Sequence, residues 1–188
     1  GNRKIEIQGD LAFMEQLAPT YVDPVDRVND ILNSLGLTKT DLLPNAPLQV
    51  VNTGNSFLLI PVKDVKTLED ITPYFDAIEN ISEAYDLIGY YVFTIDAAAE
   101  IDATTRMFAP RYGILEEAAT GMAAGPLASY LFDVLQQKQT NFKIQQGKYM
   151  SPSSSSALEV QLHVENEHIT GLMAGGKGMV ASEFEVRI

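Results

Sequence analysis

No cysteine occurs in the 188 residues, which excludes disulfides, thiolate catalysis and cysteine-rich zinc sites and fits a reducing compartment. Positive charge is scarce: 13 Lys and Arg against 25 Asp and Glu leave 13 − 25 = −12. Such a chain repels a nucleic-acid backbone or an anionic membrane surface. No apolar run approaches the ~20 residues that span a bilayer, and no signal-peptide pattern opens the chain. The reading is a cytoplasmic protein with neither nucleic acid nor membrane as partner. No period of tens of residues marks a repeat. The two histidines, His163 and His168, have no companions at ligand spacing and read as surface residues, so no metal site is expected. Gly175, Gly176 and Gly178 lack the G-x-G-x-x-G spacing between a strand and a helix, which argues for a turn or bulge and against a dinucleotide. The serines at 153–156 have no G-x-S-x-G context and read as a loop. Gly1-Asn2-Arg3-Lys4 carries no targeting logic and reads as a cut end, so the chain is expected to be part of a longer protein.

Of the residues present, 46% are hydrophobic, and a chain of this size buries roughly 70% of its unfolded surface. Residues 3–17 alternate around Ile5, Ile7, Leu11 and Phe13 with Gly9-Asp10 as a hairpin turn, giving two strands. Asp23-Pro24 offers a helix start, and Val25, Val28, Ile31, Leu32 and Leu35 recur at helical spacing until Gly36. Strands are expected at 48–52 and 57–62, separated by a Thr-Gly turn. A second helix, capped by Thr67 or Thr72, carries Leu68, Ile71, Phe75, Ile78 and Ile81. Strands follow at 87–95 and 103–109. From 120 to about 137 comes a helix with almost no polar face, which must be buried on every side. Pro126 lies within it and is expected to bend or delay it. Only strands follow, at 142–146, 158–165, 168–174 and 179–188, with a hairpin at Asn166-Glu167. The pattern implies an α+β fold: an antiparallel or mixed β-roll wrapped around the central buried helix, with two further peripheral helices.

The stretch "RMFAPRYGILEEAATGMAAGPLASYL" resembles the second-half signature of the PhzF-like phenazine-biosynthesis family, within the diaminopimelate epimerase-like superfamily: R-x-F-x-P, then G-(I/V)-x-E-D-P-A-T-G-S-A. Arg106, Phe108, Pro110, Gly113, Glu116, Ala119, Thr120 and Gly121 match in register. "VVNTGNSFLLIPVKDVKTL" resembles the family's V-x-T-G before an apolar strand. "IQQGKYMSPSS" is similar to its Q-G-x-x-(M/L)-G-R-P-S, and "ITGLMAGGKGMV" to its closing glycine-rich strand. The resemblance implies a single domain over 1–188 of the family's C-terminal type. Within it, 1–47 holds the approach strands and first helix, and 48–188 the roll with its central helix at about 120–137. It also implies cofactor-free proton transfer at carbon on a small carboxylated metabolite. The opposing general base would come from an N-terminal half outside these residues, or the chain would pair as a homodimer.

The residues agree with that role. The first amides of a helix are unsatisfied and its dipole is positive there, so Thr120, Gly121 and Met122 can offer N–H groups to a carboxylate. Glu117, just before that terminus, is the candidate catalytic proton-transfer group. The resemblance adds Thr53, Gly54, Arg106, Gln146 and Gly147 as substrate-binding positions. Four departures stand beside the matches: Glu117 replaces aspartate, Ala118 proline, Met122 serine, and Ser151 the arginine of G-R-P-S. A carboxylate one methylene longer matters, since a displacement near 1 Å can cost ~100-fold in rate. The alternative is therefore a degenerate, non-catalytic binding or dimerisation module of the same fold.

Overall fold

The structure, a computed structural model, describes residues 2–24, 26–95, 100–178 and 183–185. Strands β1 (Ile5–Gln8) and β2 (Leu11–Leu17) form the expected hairpin, with Gln8 opposite Leu11 and Gly9 at φ +64°. A third strand, β3 (Thr20–Val22), is too short to show alternation in the sequence. The first helix, α1 (Val28–Asn33), starts later than Asp23-Pro24 suggested, with Arg27 at its N-cap. Val25 lies outside the described residues. Ile31, Leu32 and Leu35 are buried as their spacing required. Strands β4 (Gln49–Asn52) and β5 (Ser56–Pro61) follow.

The second helix of the sequence reading is two helices, α2 (Val65–Glu69) and α3 (Phe75–Ala84). Pro73 disfavours helical backbone at the residue before it, which ends the first before the second begins. The cap of α2 is neither threonine but Asp64, whose carboxylate accepts the Thr67 N–H at 2.7 Å. Among the described residues three further helices, not two, accompany the buried helix. Strands β6 (Gly89–Thr94), β7 (Ala103–Ala109) and β8 (Ile114–Glu117) lead to α4 (Gly121–Asp133). Strands β9 (Asn141–Gln146), β10 (Ser156–Glu165) and β11 (His168–Lys177) complete the order. The hairpin at Asn166-Glu167 is present, both residues at positive φ. Of the strand expected at 179–188, only 183–185 are described, and these are irregular.

The eleven strands of the described residues join one mixed, mostly antiparallel sheet, ordered β1-β2-β11-β10-β9-β7-β6-β5-β4-β3, with β8 paired to β7. Only β5–β6 and β7–β9 are parallel. Residues before position 48 are integral to it, β2 pairing with β11 and β3 with β4. Strand alternation sorts the side chains into two cores. On one face Phe57, Tyr91, Met107, Phe142 and Leu172 pack against α4. On the other, Leu58, Tyr90, Val92 and Phe108 pack with Ile31, Leu68 and Ile78 from the three flanking helices.

Helix α4 touches β2, β4, β5, β10 and β11, strands from both ends of the sheet order. Those ends also meet directly: the Leu17 N–H of β2 donates to the Thr53 carbonyl, just past β4, at 3.0 Å. The helix runs unbroken through Pro126, one missing N–H being outweighed by burial from Ala123 to Phe132. It ends earlier than expected, where Gln136 takes positive φ. No helix among the described residues is long and apolar enough to cross a membrane.

Gly175 and Gly176 lie in β11 rather than in a turn or bulge, opposite Phe13 and Ala12 of β2. A Cβ on Gly175 would overlap the Ala12 carbonyl oxygen, so the glycine serves close backbone approach. Gly175→Val is expected to cost about 1–3 kcal/mol by overpacking. At Gly171 an added Cβ meets nothing nearer than the Gln16 oxygen at 3.7 Å, so Gly171→Ala should be nearly neutral. Urea denaturation of the two variants checks the contrast.

Candidate functional site

Strand β8 runs directly into α4 through Ala118, Ala119 and the N-cap Thr120. Successive side chains on a strand point to opposite faces, and here that separates the two glutamates. Glu116 turns to the face of α2. Its carboxylate takes a two-pronged ion pair from Arg106, Nε to Oε1 at 2.8 Å and Nη2 to Oε2 at 2.9 Å. Their side chains are 8% and 14% exposed, so the pair is buried. Arg106 Nη1 donates to the carbonyls of Leu68, Glu69 and Ile71 at 3.1–3.3 Å, satisfying oxygens at and beyond the end of α2. Its guanidinium also lies 5.1 Å from the Phe108 ring centroid. The donors of Arg106 are thus turned to its own chain, away from the Thr120 side of the sheet, and a substrate-binding role is not what its geometry provides.

Glu117 turns the other way, towards the start of α4. The Thr120 hydroxyl donates to its Oε2. Around them the buried amide of Gln146, at the end of β9, is bonded at four points. Its Oε1 accepts from the Thr120 backbone N–H at 3.1 Å and from the Tyr91 hydroxyl at 2.9 Å. Its Nε2 donates to the Glu117 carbonyl at 2.7 Å and to Thr120 Oγ1 at 2.9 Å. Those are all the donor and acceptor positions a primary amide has. Burial, with the charge of Glu117 adding to it, pushes the Tyr91 hydroxyl well above the usual tyrosine range despite a hydrogen bond with Thr105. Tyr91 therefore remains a proton donor across the ordinary pH range.

The Thr53-Gly54 turn is held against the same helix end. Thr53 Oγ1 donates to Gln16 Oε1 at 2.6 Å, and Gln16 Nε2 donates to the Gly121 carbonyl at 2.8 Å. Gly54 adopts φ +117°, its N–H bonded to Asn52 Oδ1 at 2.7 Å. The side chain of Asn55 reaches the Met122 sulfur at 3.4 Å. Gly147, at φ +77°, is buried where an added Cβ would stand 2.8 Å from the Ala118 carbonyl oxygen. It lets the chain after β9 pass beside the β8–α4 junction. The structure thus brings Glu117, Thr120, Gly121, Met122, Thr53, Gly54, Gln146 and Gly147 around one helix start and leaves Arg106 outside.

Tyr91 and Gln16 complete the cluster and were not singled out from the sequence. Tyr91 is one of several large residues in a wholly buried strand, with no signal to distinguish it. Gln16 carried none either: the alternation of its strand runs through Leu11 and Phe13, Ala12 is exposed and Met14 half-buried, and only its pairing with Leu172, which packs on α4, turns Gln16 inward. Among the described residues no three or more His, Cys, Asp or Glu side chains come together to hold a metal ion.

Solved proteins of the PhzF family share this fold. The fold matches a Bacillus anthracis phenazine biosynthesis protein of that family with a TM-score of 0.80 at 22% identity, covering 99% of this chain and 64% of that one. It matches a predicted epimerase from Pseudomonas aeruginosa with a TM-score of 0.70 at 25% identity, covering 92% and 58%. The chain belongs to the phenazine biosynthesis-like protein family, whose pattern it matches over residues 5–183. Among curated relatives, an uncharacterized isomerase of Clostridium acetobutylicum is 32% identical over 166 residues, 86% of this chain and 54% of that protein. The trans-2,3-dihydro-3-hydroxyanthranilate isomerase of Pseudomonas fluorescens is 29% identical over 120 residues, 64% and 39% respectively. The chain spans about half the length of the curated relatives it matches, or less.

Removing one partner of a buried ion pair leaves the other charge uncompensated, so Arg106→Ala is expected to lower stability by about 3–5 kcal/mol. Arg106→Lys should recover only part of this, because an ammonium cannot reproduce the two-pronged contact. Denaturant unfolding measures both. If Arg106 served the ligand instead, its loss would weaken binding and leave stability unchanged.

Proposed function

We propose that this chain forms one side of a cofactor-independent, cytoplasmic isomerase or epimerase that moves a proton at carbon on a small carboxylated metabolite. The observation that carries the reading is the carboxylate of Glu117 held beside the first amides of a 13-residue buried helix. That juxtaposition puts a proton-transfer group next to an anion-binding helix end. The Thr120 N–H is taken by Gln146, so Gly121 and Met122 are the amides assigned to the substrate carboxylate. Gly121 has no atom within 4 Å of where a Cβ would stand, which leaves space for close approach. The curvature that brings β2 to Thr53 supports describing the sheet as a roll around α4. The opposing proton-transfer group is assigned to an N-terminal half of the same protein or, in a homodimer, to a second copy.

A second reading is favoured by Met122. It places a flexible apolar side chain, 39% exposed, beside Asn55 at the helix start, where the family resemblance expects a serine hydroxyl. In that reading the site binds or pairs without turning over.

The test is solvent deuterium incorporation into a panel of small amino and hydroxy acids by the protein in its full natural length. The isomerase reading expects exchange at carbon, and Glu117→Gln to lower it by ~10²–10⁴-fold, the usual contribution of a positioned acid or base. Exchange unaffected by Glu117→Gln removes Glu117 from the mechanism. No exchange with any acid, together with a stable dimer or ligand binding, leaves the non-catalytic reading.

A further inference from the structure

A carboxylate bound at the start of α4 is short of positive charge. The helix itself offers roughly half a unit, while the ligand and the neighbouring Glu117 each bring a full negative one. The chain as a whole carries −12 and repels an approaching anion. The cations that the family pattern suggests do not serve. Arg106 is held on the other face of the sheet by Glu116, and Ser151 stands where the pattern has an arginine. Lys148, next to Gly147, has its ammonium 5.3 Å from the Tyr149 ring centroid, and Tyr149 packs on the core opposite α4.

A guanidinium does lie beside the site, from a segment that no motif marks. The pairing of β1 with β2 continues one residue ahead of the strand, the Glu15 N–H donating to the Lys4 carbonyl at 2.9 Å. Arg3 comes next, level with Gln16, and residues opposite one another on paired strands share a face. Gln16 is the side chain that bonds the Gly121 carbonyl. From there the Arg3 side chain reaches the Thr53-Gly54 turn. A Cβ added to Gly54 would overlap Arg3 Nη2 and stand 3.4 Å from its Cζ, so the guanidinium lies directly on the glycine. The residues on either side of Gly54 both hold to the helix start, Thr53 through Gln16 and Asn55 through the Met122 sulfur. Arg3 is exposed, and among the described residues none is hydrogen-bonded or ion-paired to it. Lys4 beside it is by contrast paired with Glu6 at 3.2 Å. An arginine is always charged and carries five donors in a rigid fork. This one keeps its whole donor set free next to the anion site.

We propose that Arg3 is a substrate-binding residue: its guanidinium closes, from the Gly54 side, on the carboxylate that the Gly121 and Met122 amides hold. The inference rests on that carboxylate site and adds to it a cation from the segment ahead of β1. Arg3 supplies the positive charge that Arg106 and position 151 do not. With it in place, the ligand carboxylate and Glu117 face a full positive charge and the helix dipole together, which comes close to balance. Two parallel N–H bonds from the fork to one carboxylate are the strong form of such a contact. Arg3 meets the carboxylate and not the reacting carbon, so it strengthens bound substrate and transition state alike, and its loss belongs in KM rather than kcat.

The test titrates the ¹⁵N-labelled protein in its full natural length with benzoate, a plain carboxylate, and with benzamide, its uncharged counterpart. Benzoate is expected to move the Gly121 and Met122 amide resonances and the Arg3 Nε–H resonance along one saturation curve, and benzamide to move none of them. Arg3→Gln should weaken benzoate by about 10–100-fold, the equivalent of hydrogen bonds to a charged group. It should also flatten the loss of affinity as ionic strength rises. Arg3→Lys keeps the charge without the fork and should recover part of the affinity. Since the side chain is exposed and unpaired, both variants should unfold at the wild-type denaturant midpoint, which separates lost binding from lost structure. In the deuterium assay, Arg3→Gln should raise KM by the same factor and leave kcat nearly unchanged. Equal benzoate affinity in wild type and Arg3→Gln, with Gly121 and Met122 still responding, overturns the Arg3 assignment and leaves the carboxylate site standing. Binding that needs Arg3 while both amides stay still removes the amides from the site and keeps Arg3 as its cation. No response to benzoate at any of these resonances overturns both.

Discussion

Helix α4 has no face that water can wet. From Ala123 to Phe132 every residue is buried, and a helix of that kind persists only where other elements cover it all round. The sheet meets that demand from both ends of its strand order, β2 and β11 from one side and β4 and β5 from the other. Covering the helix is also what draws Thr53 to Gln16, and Gln16 to the Gly121 carbonyl, across a large separation in sequence. The cluster at the helix start is a consequence of that burial. Residues from positions 16, 53, 91, 117 and 146 converge because the helix they surround cannot be left exposed.

A second constraint, the two-residue period of β8, divides the labour of the adjacent glutamates. Glu116 goes to Arg106 and stabilises the join between β7, β8 and the end of α2. Glu117 goes to Thr120 and the helix start. The ion pair on one face holds the short strand whose other face presents the Glu117 carboxylate to the start of α4. Two identical side chains, one peptide apart, therefore differ in what they can do only because the strand turns them into different environments.

Three of the four departures from the family pattern, Glu117, Ala118 and Met122, lie at the junction of β8 and α4. An extra methylene at Glu117 would misplace a carboxylate that hung free, but here the carboxylate is anchored through Thr120 to an amide bonded at all four positions. At Ala118 a methyl stands where the family pattern has the ring of a proline, and the Glu117 carbonyl before it accepts from Gln146. Met122 has no such compensation, since a thioether accepts hydrogen bonds weakly and donates none.

Much of the fold was legible in the residues. Strand alternation located β2, β7, β9 and β10, the glycine turn located the first hairpin, and the missing polar face located α4. Those features are local, and periodicity carries them. What failed was local as well, but weakly encoded: β3 and β8 are only three and four residues long, and α2 and α3 merged because one apolar stripe ran across Pro73. The helix-start motif, read from the sequence together with its family resemblance, located Glu117, Thr120 and Gly121. Only the tertiary structure decided that Arg106 faces away from them and that Tyr91 and Gln16 belong with them. The physical reason is that hydrogen-bond partners distant in sequence are set by how strands pair and how a sheet curves around a buried helix. The type of side chain a position carries says what it can bond to, and packing alone says what it meets.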